Sequence, residues 1–279
     1  GHTSRLSDKN WLEIVSTPNE KMNKRWSSTM VEASHFTFAS SMYSQAKIEP
    51  ARFARLSLQF PENCYSGYVS HVLCAIHNSN AGAEQPTDGL IIKIVERFGN
   101  LNETNVAMEI ARLMESRPDI HWPGKTLDRL SDLALNHIDD EPEPKDLTTA
   151  SAHELLTQSI NCVRGCAIHA ISRLIWANEE LQDRFMPVVE KACDDDNDAV
   201  RFALGSCVRA YYNEKRDFSI GLLRNLIDKD FRILCYPDMS QILLWEYKND
   251  PDYYRDLMLK AVNSDNSDSQ ELGAELLCA

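Results

Sequence analysis

Four groups of residues in this 279-residue chain have types and spacing that chemistry can use. Gly124-Lys125-Thr126 matches the tail of a phosphate-binding loop, where backbone amides cradle phosphate and the lysine reaches the outer oxygens. The first glycine of such a loop falls at Asp119. Pro118 and the helical stretch before it supply no strand to feed the loop, so a helix start after Pro123-Gly124 is expected and no nucleotide site. Cys162, Cys166 and His169 lie at i, i+4 and i+7, a spacing that aims three ligands from one helix at one ion. Zinc takes four ligands, usually from more than one element, and both cysteines also fit an apolar stripe; core packing is the preferred reading. His71, Cys74 and His77 step by three and drift around a helix, which weakens them further as a ligand set. Asp194, Asp196 and Asp198 imitate the opening of a calcium loop, but Ala199 stands where the loop needs glycine and Gly205 where it needs the closing acid. Helix capping and favourable placement at a dipole's positive end account for these acids. No nucleophile elbow, His-Glu-x-x-His helix or dinucleotide-binding glycine pattern occurs. The expectation is no catalytic residue, no cofactor and no metal site.

The elements that would have to position such groups read as helices. The clearest stretch is Ile160–Glu214. Val163, Cys166, Ala167, Ala170, Ile171, Leu174 and Ile175 form one apolar face, and Val200, Ala203, Leu204, Cys207, Val208 and Tyr211 repeat its phase. Asn161-x-Val163-Arg164-x-Cys166-Ala167 overlays Asp198-x-Val200-Arg201-x-Ala203-Leu204 at an offset of 37 residues, close to the length of a helix-pair repeat. Arg164 and Arg201 thereby fall on neighbouring helices beside acidic turns, so a structural ladder of Arg–Asp contacts is expected.

Along the chain, Asp8 is expected to cap a short helix stopped by Pro18, followed by a polar loop over 19–28. Helices are then read over Met30–Ala46, with Phe36, Phe38, Met42 and Tyr43 as its bulk, and over Ala51–Phe60, opened by Pro50. Further helices follow at Gly67–Asn78, Gly89–Phe98 (capped by Asp88), Asn105–Ser116 (capped by Asn102 or Thr104) and Gly124–Ile138. Residues 139–151, with Asp-Asp-Glu-Pro-Glu-Pro-Lys-Asp, read as an exposed acidic, proline-rich loop. Beyond it come Glu179–Cys193, Phe218–Ile227, Asp238–Lys248, Asp252–Val262 and Gln270–Cys278. The organisation is thus a lead-in over 1–30, whose Gly1-His2 start reads as the remnant of a cleaved tag, an N-terminal helical array over 31–138, the loop, and HEAT-like repeats over 152–279 continuous with the first array. The fold class is all-α, an α-α superhelix: a HEAT-like solenoid of antiparallel helix pairs.

The net charge of −13 opposes phosphate backbones over most of the surface and argues against nucleic acid as partner. No apolar stretch approaches the roughly 20 residues of a membrane span, and the N-terminal stretch lacks a signal-peptide pattern. The eight cysteines sit mostly at apolar helical positions, which suits reduced core thiols and a cytoplasmic location.

Asp198-x-Val200-Arg201-x-Ala203-Leu204 resembles the second helix of a HEAT repeat. Together with Glu49-Pro50-Ala51-Arg52-Phe53-Ala54-Arg55-Leu56, Tyr68-Val69-Ser70 and Ile160-Asn161-Cys162-Val163-Arg164-Gly165-Cys166-Ala167, it makes residues 31–279 similar to the C-terminal helical arrays of bacterial NACHT/STAND-type ATPases. Glu271-Leu272-Gly273-Ala274 lacks the Val-Arg pair, so the last repeat departs from the pattern. The resemblance implies a sensor fragment of an antiviral ATPase that binds a phage protein and drives oligomerisation of the full-length protein, with the ATPase in a separate domain. The alternative is a HEAT-like protein–protein scaffold without an immune role. A base-processing enzyme of HEAT-like fold needs a basic groove, which the charge disfavours. Of the aromatics near helix ends (Trp176, Tyr211, Tyr212, Trp245, Tyr247, Tyr253, Tyr254), Tyr212, Trp245 and Tyr247 are the candidate anchors for a protein partner, set against a role in packing.

Overall fold

The structure, a computed structural model, describes residues 6–18, 34–138 and 147–278. Gly1-His2, the loop expected at 19–28, the start of the helix placed at Met30 and residues 139–146 of the acidic loop lie outside the described residues. Among the described residues the chain is all-α, with no strand. It divides into two compact units, Gly1–Arg129 and Leu130–Ala279.

The first unit contains α1 (Asp8–Val15), α2 (His35–Ala46), α3 (Pro50–Ser57), α4 (Ser66–His77), α5 (Asp88–Phe98), α6 (Thr104–Glu115) and the start of α7 (Gly124–Asn136). Alternate helices pack side by side: α2 on α4 and α4 on α6 in one layer, α3 on α5 in the other. That alternation is what stacked helix pairs produce. Pro50 occupies the first turn of α3, where its missing N–H costs nothing. Val69, Val72, Leu73 and Ile76 of α4 are all buried, as their spacing requires.

Five expectations shift here for local reasons. The cap of α1 is Ser7, whose Oγ accepts from Asn10 N at 3.3 Å, and that of α5 is Thr87, whose Oγ1 accepts from Leu90 N at 3.4 Å. Asp8 and Asp88 stand one residue further in, facing the dipole rather than capping. Glu103, not Asn102 or Thr104, precedes α6 and makes no side-chain cap. In α2 the buried positions are His35, Ala39, Met42 and Ala46, so Phe36 turns outward and is 64% exposed. Ile138 lies two residues past the end of α7, beyond the reach of its stripe, and is 84% exposed.

The second unit contains the rest of α7, then α8 (Ala152–Ser159), α9 (Val163–Ala177), α10 (Gln182–Ala192), α11 (Asp198–Ala203), α12 (Gly205–Tyr211), α13 (Arg216–Lys229), α14 (Met239–Tyr247), α15 (Pro251–Val262) and α16 (Ser267–Cys278). Short 3-10 turns at Glu179–Leu181 and Phe231–Cys235 join α9 to α10 and α13 to α14. Both overlaid stripes, from Val163 to Ile175 and from Val200 to Tyr211, are buried throughout. The second stripe nevertheless runs over two helices, because the chain turns at Leu204. The Tyr236 ring packs against Gly205 so closely that a Cβ there would lie 2.3 Å from it.

The Arg–Asp ladder is present and branches. Arg164 pairs with Asp195 at 3.0 Å and donates to His137 O at 3.0 Å. Arg201 pairs with Asp198, which also receives Arg232 at 2.6 Å. Arg232, itself buried, binds Asp230 at 2.6 Å and the carbonyls of Leu147 and Ala150 at 2.5 and 2.9 Å. In the first unit arginines likewise reach backbone carbonyls: Arg97 donates to Phe60 O and Arg129 to Gly99 O, each at 2.6 Å.

Two stability predictions follow from this packing. Leu204→Ala removes the side chain beyond Cβ from a fully buried site, and should cost about 2–5 kcal/mol in denaturant unfolding; a loss below about 0.5 kcal/mol would place Leu204 outside the core. Arg232→Ala strands the carboxylate of Asp230 and should cost about 3–5 kcal/mol by the same measurement.

Candidate functional site

Trp176 near the end of α9, Arg209 on α12 and Trp245 on α14 come from three elements, of which α12 packs on both α9 and α14. Their side chains form a row. The Arg209 guanidinium lies 5.4 Å from the Trp176 ring centre and 5.2 Å from that of Trp245, between two indoles whose π faces attract it. Tyr212, just past α12, stacks on Trp245 with ring centres 5.4 Å apart and planes 30° from parallel. Trp176 and Trp245 remain 48% and 44% exposed, so the row is a surface ridge and not a core.

Charges beneath the ridge hold it in place. Glu246, buried on α14, accepts from Tyr212 Oη at 2.5 Å and from Arg216 Nε at 2.8 Å, and its second oxygen pairs with Arg216 Nη2. Burial pushes the Glu246 carboxyl up, but the hydrogen bonds from Arg216 and Tyr212 outweigh it and hold it below the usual carboxylate range. Burial first, and then the bond to Glu246, raise the Tyr212 hydroxyl. Tyr212 therefore stays a neutral donor, locked edge-on to Glu246 while its face meets Trp245.

Of the three anchors expected from sequence, Tyr212 and Trp245 are thus brought together. Tyr247 is 40% exposed on the same helix but makes no ring contact with them among the described residues. Arg209 was not anticipated, and Trp176 stood only among the wider set of aromatics. The available signal was periodic: Trp176, Arg209 and Trp245 recur at steps of 33 and 36 residues, near the 37-residue repeat. Among the other aromatics, Tyr211 and Tyr254 are core residues.

The remaining chemical candidates have local roles. Cys162 caps α9, its Sγ accepting from Gly165 N at 3.4 Å, and Cys166 Sγ donates to Ile160 O at 3.2 Å. Ser159 Oγ donates to Leu156 O at 2.8 Å, so it accepts from His169 Nε2 at 3.0 Å; that nitrogen carries a proton and offers no lone pair. Asp194 pairs with Lys229, Asp195 and Asp198 join the ladder, and Asn197 caps α11 by accepting from Ala199 N at 2.8 Å. Gly124 opens α7, with Thr126 N and Leu127 N both bonded to Pro123 O at 2.9 and 3.1 Å. All eight cysteines are free thiols. No described helix is long and apolar enough to cross a membrane.

Comparison with family models, curated proteins and solved structures finds no match to this chain.

Burial lowers His169 from its ordinary value of 6.5 to about 4. Above pH 6.5 both folded and unfolded chains hold this imidazole neutral. Below it the unfolded chain takes up a proton that the folded chain refuses, so stability falls as pH drops from 6.5 towards 4 and levels off below. The loss attributable to this group is about 3 kcal/mol across that window. Denaturant unfolding at a series of pH values should show a shallower fall for His169→Gln, with the part due to His35, lowered in the same direction by burial, left in place.

Proposed function

We propose that this chain is a protein-recognition array whose contact centre is the Trp176–Arg209–Trp245–Tyr212 ridge. The ridge itself carries the reading. Tryptophan, tyrosine and arginine are the residue types that dominate binding energy at protein interfaces, and here they stand in one row already held in position, Trp176 and Trp245 exposed and Arg209 and Tyr212 half-buried. Preorganisation matters because a partner then does not bear the cost of ordering these side chains. A stack of helix pairs supports such a row naturally, since equivalent positions in successive repeats come side by side.

Within that reading, the resemblance of residues 31–279 to NACHT/STAND-type arrays favours a sensor role: the array captures a phage-encoded protein in the cytoplasm and so triggers oligomerisation of a larger antiviral ATPase. The net charge of −13 favours a partner with basic regions and makes association salt-sensitive.

The test pairs a library of phage structural and packaging proteins with the intact polypeptide, read by pull-down and by an activation assay. Trp176→Ala with Trp245→Ala should weaken capture by roughly tenfold to a hundredfold, while the melting temperature moves by only a few degrees because both rings are half-exposed. Undiminished capture by the double variant would remove the ridge from the interface. Capture of host proteins alone would replace the sensor role with that of a cellular scaffold.

A further inference from the structure

In the first unit, helix packing assembles a group that sequence spacing did not suggest. Cys74 and His77 lie at the end of α4, and Glu109 projects from α6 packed against it. Cys74 Sγ, a His77 ring nitrogen and a Glu109 oxygen all lie within 4.8 Å of one another, the one such grouping of three metal-ligating side chains among the described residues. His71, the third member of the spacing in the sequence, is elsewhere: its Nδ1 donates to Gly67 O at 2.7 Å and its ring meets Tyr43 edge-on.

We propose that Cys74, His77 and Glu109 bind a zinc-class divalent cation, with water as the fourth ligand. The donor set is one soft sulfur, one imidazole and one carboxylate from two helices, the combination tetrahedral zinc accepts. Charge also balances: a thiolate and a carboxylate together match the two positive charges of the ion. Glu109 is buried and already oriented, since Arg112 Nη1 donates to its Oε1 at 2.7 Å. That leaves Oε2 for the ion, an arrangement in which Arg112 orients the carboxylate from behind. His77 Nε2 lies 2.7 Å from Oε2 and donates its proton there. The ion takes the place of that shared proton: the proton on His77 Nε2 passes by way of solvent to Nδ1, leaving a neutral imidazole with Nε2 free to ligate, the Cys74 thiol releases its proton to solvent, and the N···O pair opens to about 3.3 Å to admit bonds of about 2.0–2.2 Å. His77 and Cys74 are only partly buried, so solvent reaches the fourth position. The bound ion would pin the end of α4 to α6.

Cobalt(II) is the probe, because it substitutes for zinc and reports thiolate ligation by a near-ultraviolet charge-transfer band and tetrahedral geometry by visible bands. Titration of the chelator-treated chain should saturate at one equivalent with both sets of bands, and zinc should displace them. Cys74→Ser should abolish the charge-transfer band, His77→Gln should weaken binding at least tenfold while keeping a hydrogen bond to Glu109, and Cys162→Ser should change neither. Melting curves in chelator identify any variant that fails to fold, and His77→Gln and Cys74→Ser are read independently for that reason. Zinc should raise the melting temperature of the wild-type chain and not of Cys74→Ser. The absence of saturable bands in the wild type, or unchanged bands in both Cys74→Ser and His77→Gln, would overturn the assignment.

Discussion

The stacking of this protein depends on arginines that reach back to the chain at the end of an earlier helix. A helix ends with carbonyls that its own amides do not satisfy, at the negative end of its dipole. Water would satisfy them on an isolated helix; a packed neighbour excludes that water. A guanidinium answers both needs, with five donors and a fixed positive charge on a stem long enough to cross between helices. Arg97 on Phe60 O, Arg129 on Gly99 O, and Arg164 on His137 O each do this just beyond α3, α5 and α7. Arg201 and Arg232 extend the pattern with the carbonyls of Asp195, Leu147 and Ala150, and there the half-buried carboxylates of Asp198 and Asp230 compensate the charge as well.

That arrangement explains why the repeat was visible before the structure and why its details were not. Val-Arg recurs with the apolar stripe because both serve the same junction, so the offset between Arg164 and Arg201 reported a real equivalence. Burial along α4, α7 and α9 followed from periodicity alone. The exceptions arose where a single residue's reach decides the outcome. Ser7 and Thr87 cap because their oxygens stand three residues before a free amide, and the acids that looked like caps stand one residue too late. Phe36 is large and apolar, yet the stripe set by His35, Ala39 and Met42 passes beside it. The break at Leu204 lies beside Gly205, against which the Tyr236 ring, distant in sequence, packs too closely to admit a Cβ.

The site followed the same division. Tyr212 and Trp245 were legible as aromatics near helix ends, whereas Arg209 acquires its role only because two indoles from other repeats flank it. Glu109 is the sharper case. An isolated glutamate on an amphipathic helix reads as solvated surface, and only the packing of α4 on α6 buries it beside Cys74 and His77.

The interruption at Leu204 has a consequence for how the second unit holds together. It leaves α11 and α12 with six and seven residues, well below the roughly 12–15 at which a helix becomes marginal by itself. Yet these two segments lie at the middle of the unit and carry some of its most deeply buried side chains, including Val200, Cys207 and Val208. The centre therefore has no autonomy: it is ordered by α8 and α9 on one side and by α13 and α14 on the other. Stacked repeats commonly fray or open one at a time. A keystone that cannot stand alone couples its neighbours instead, so loosening either flank loosens both.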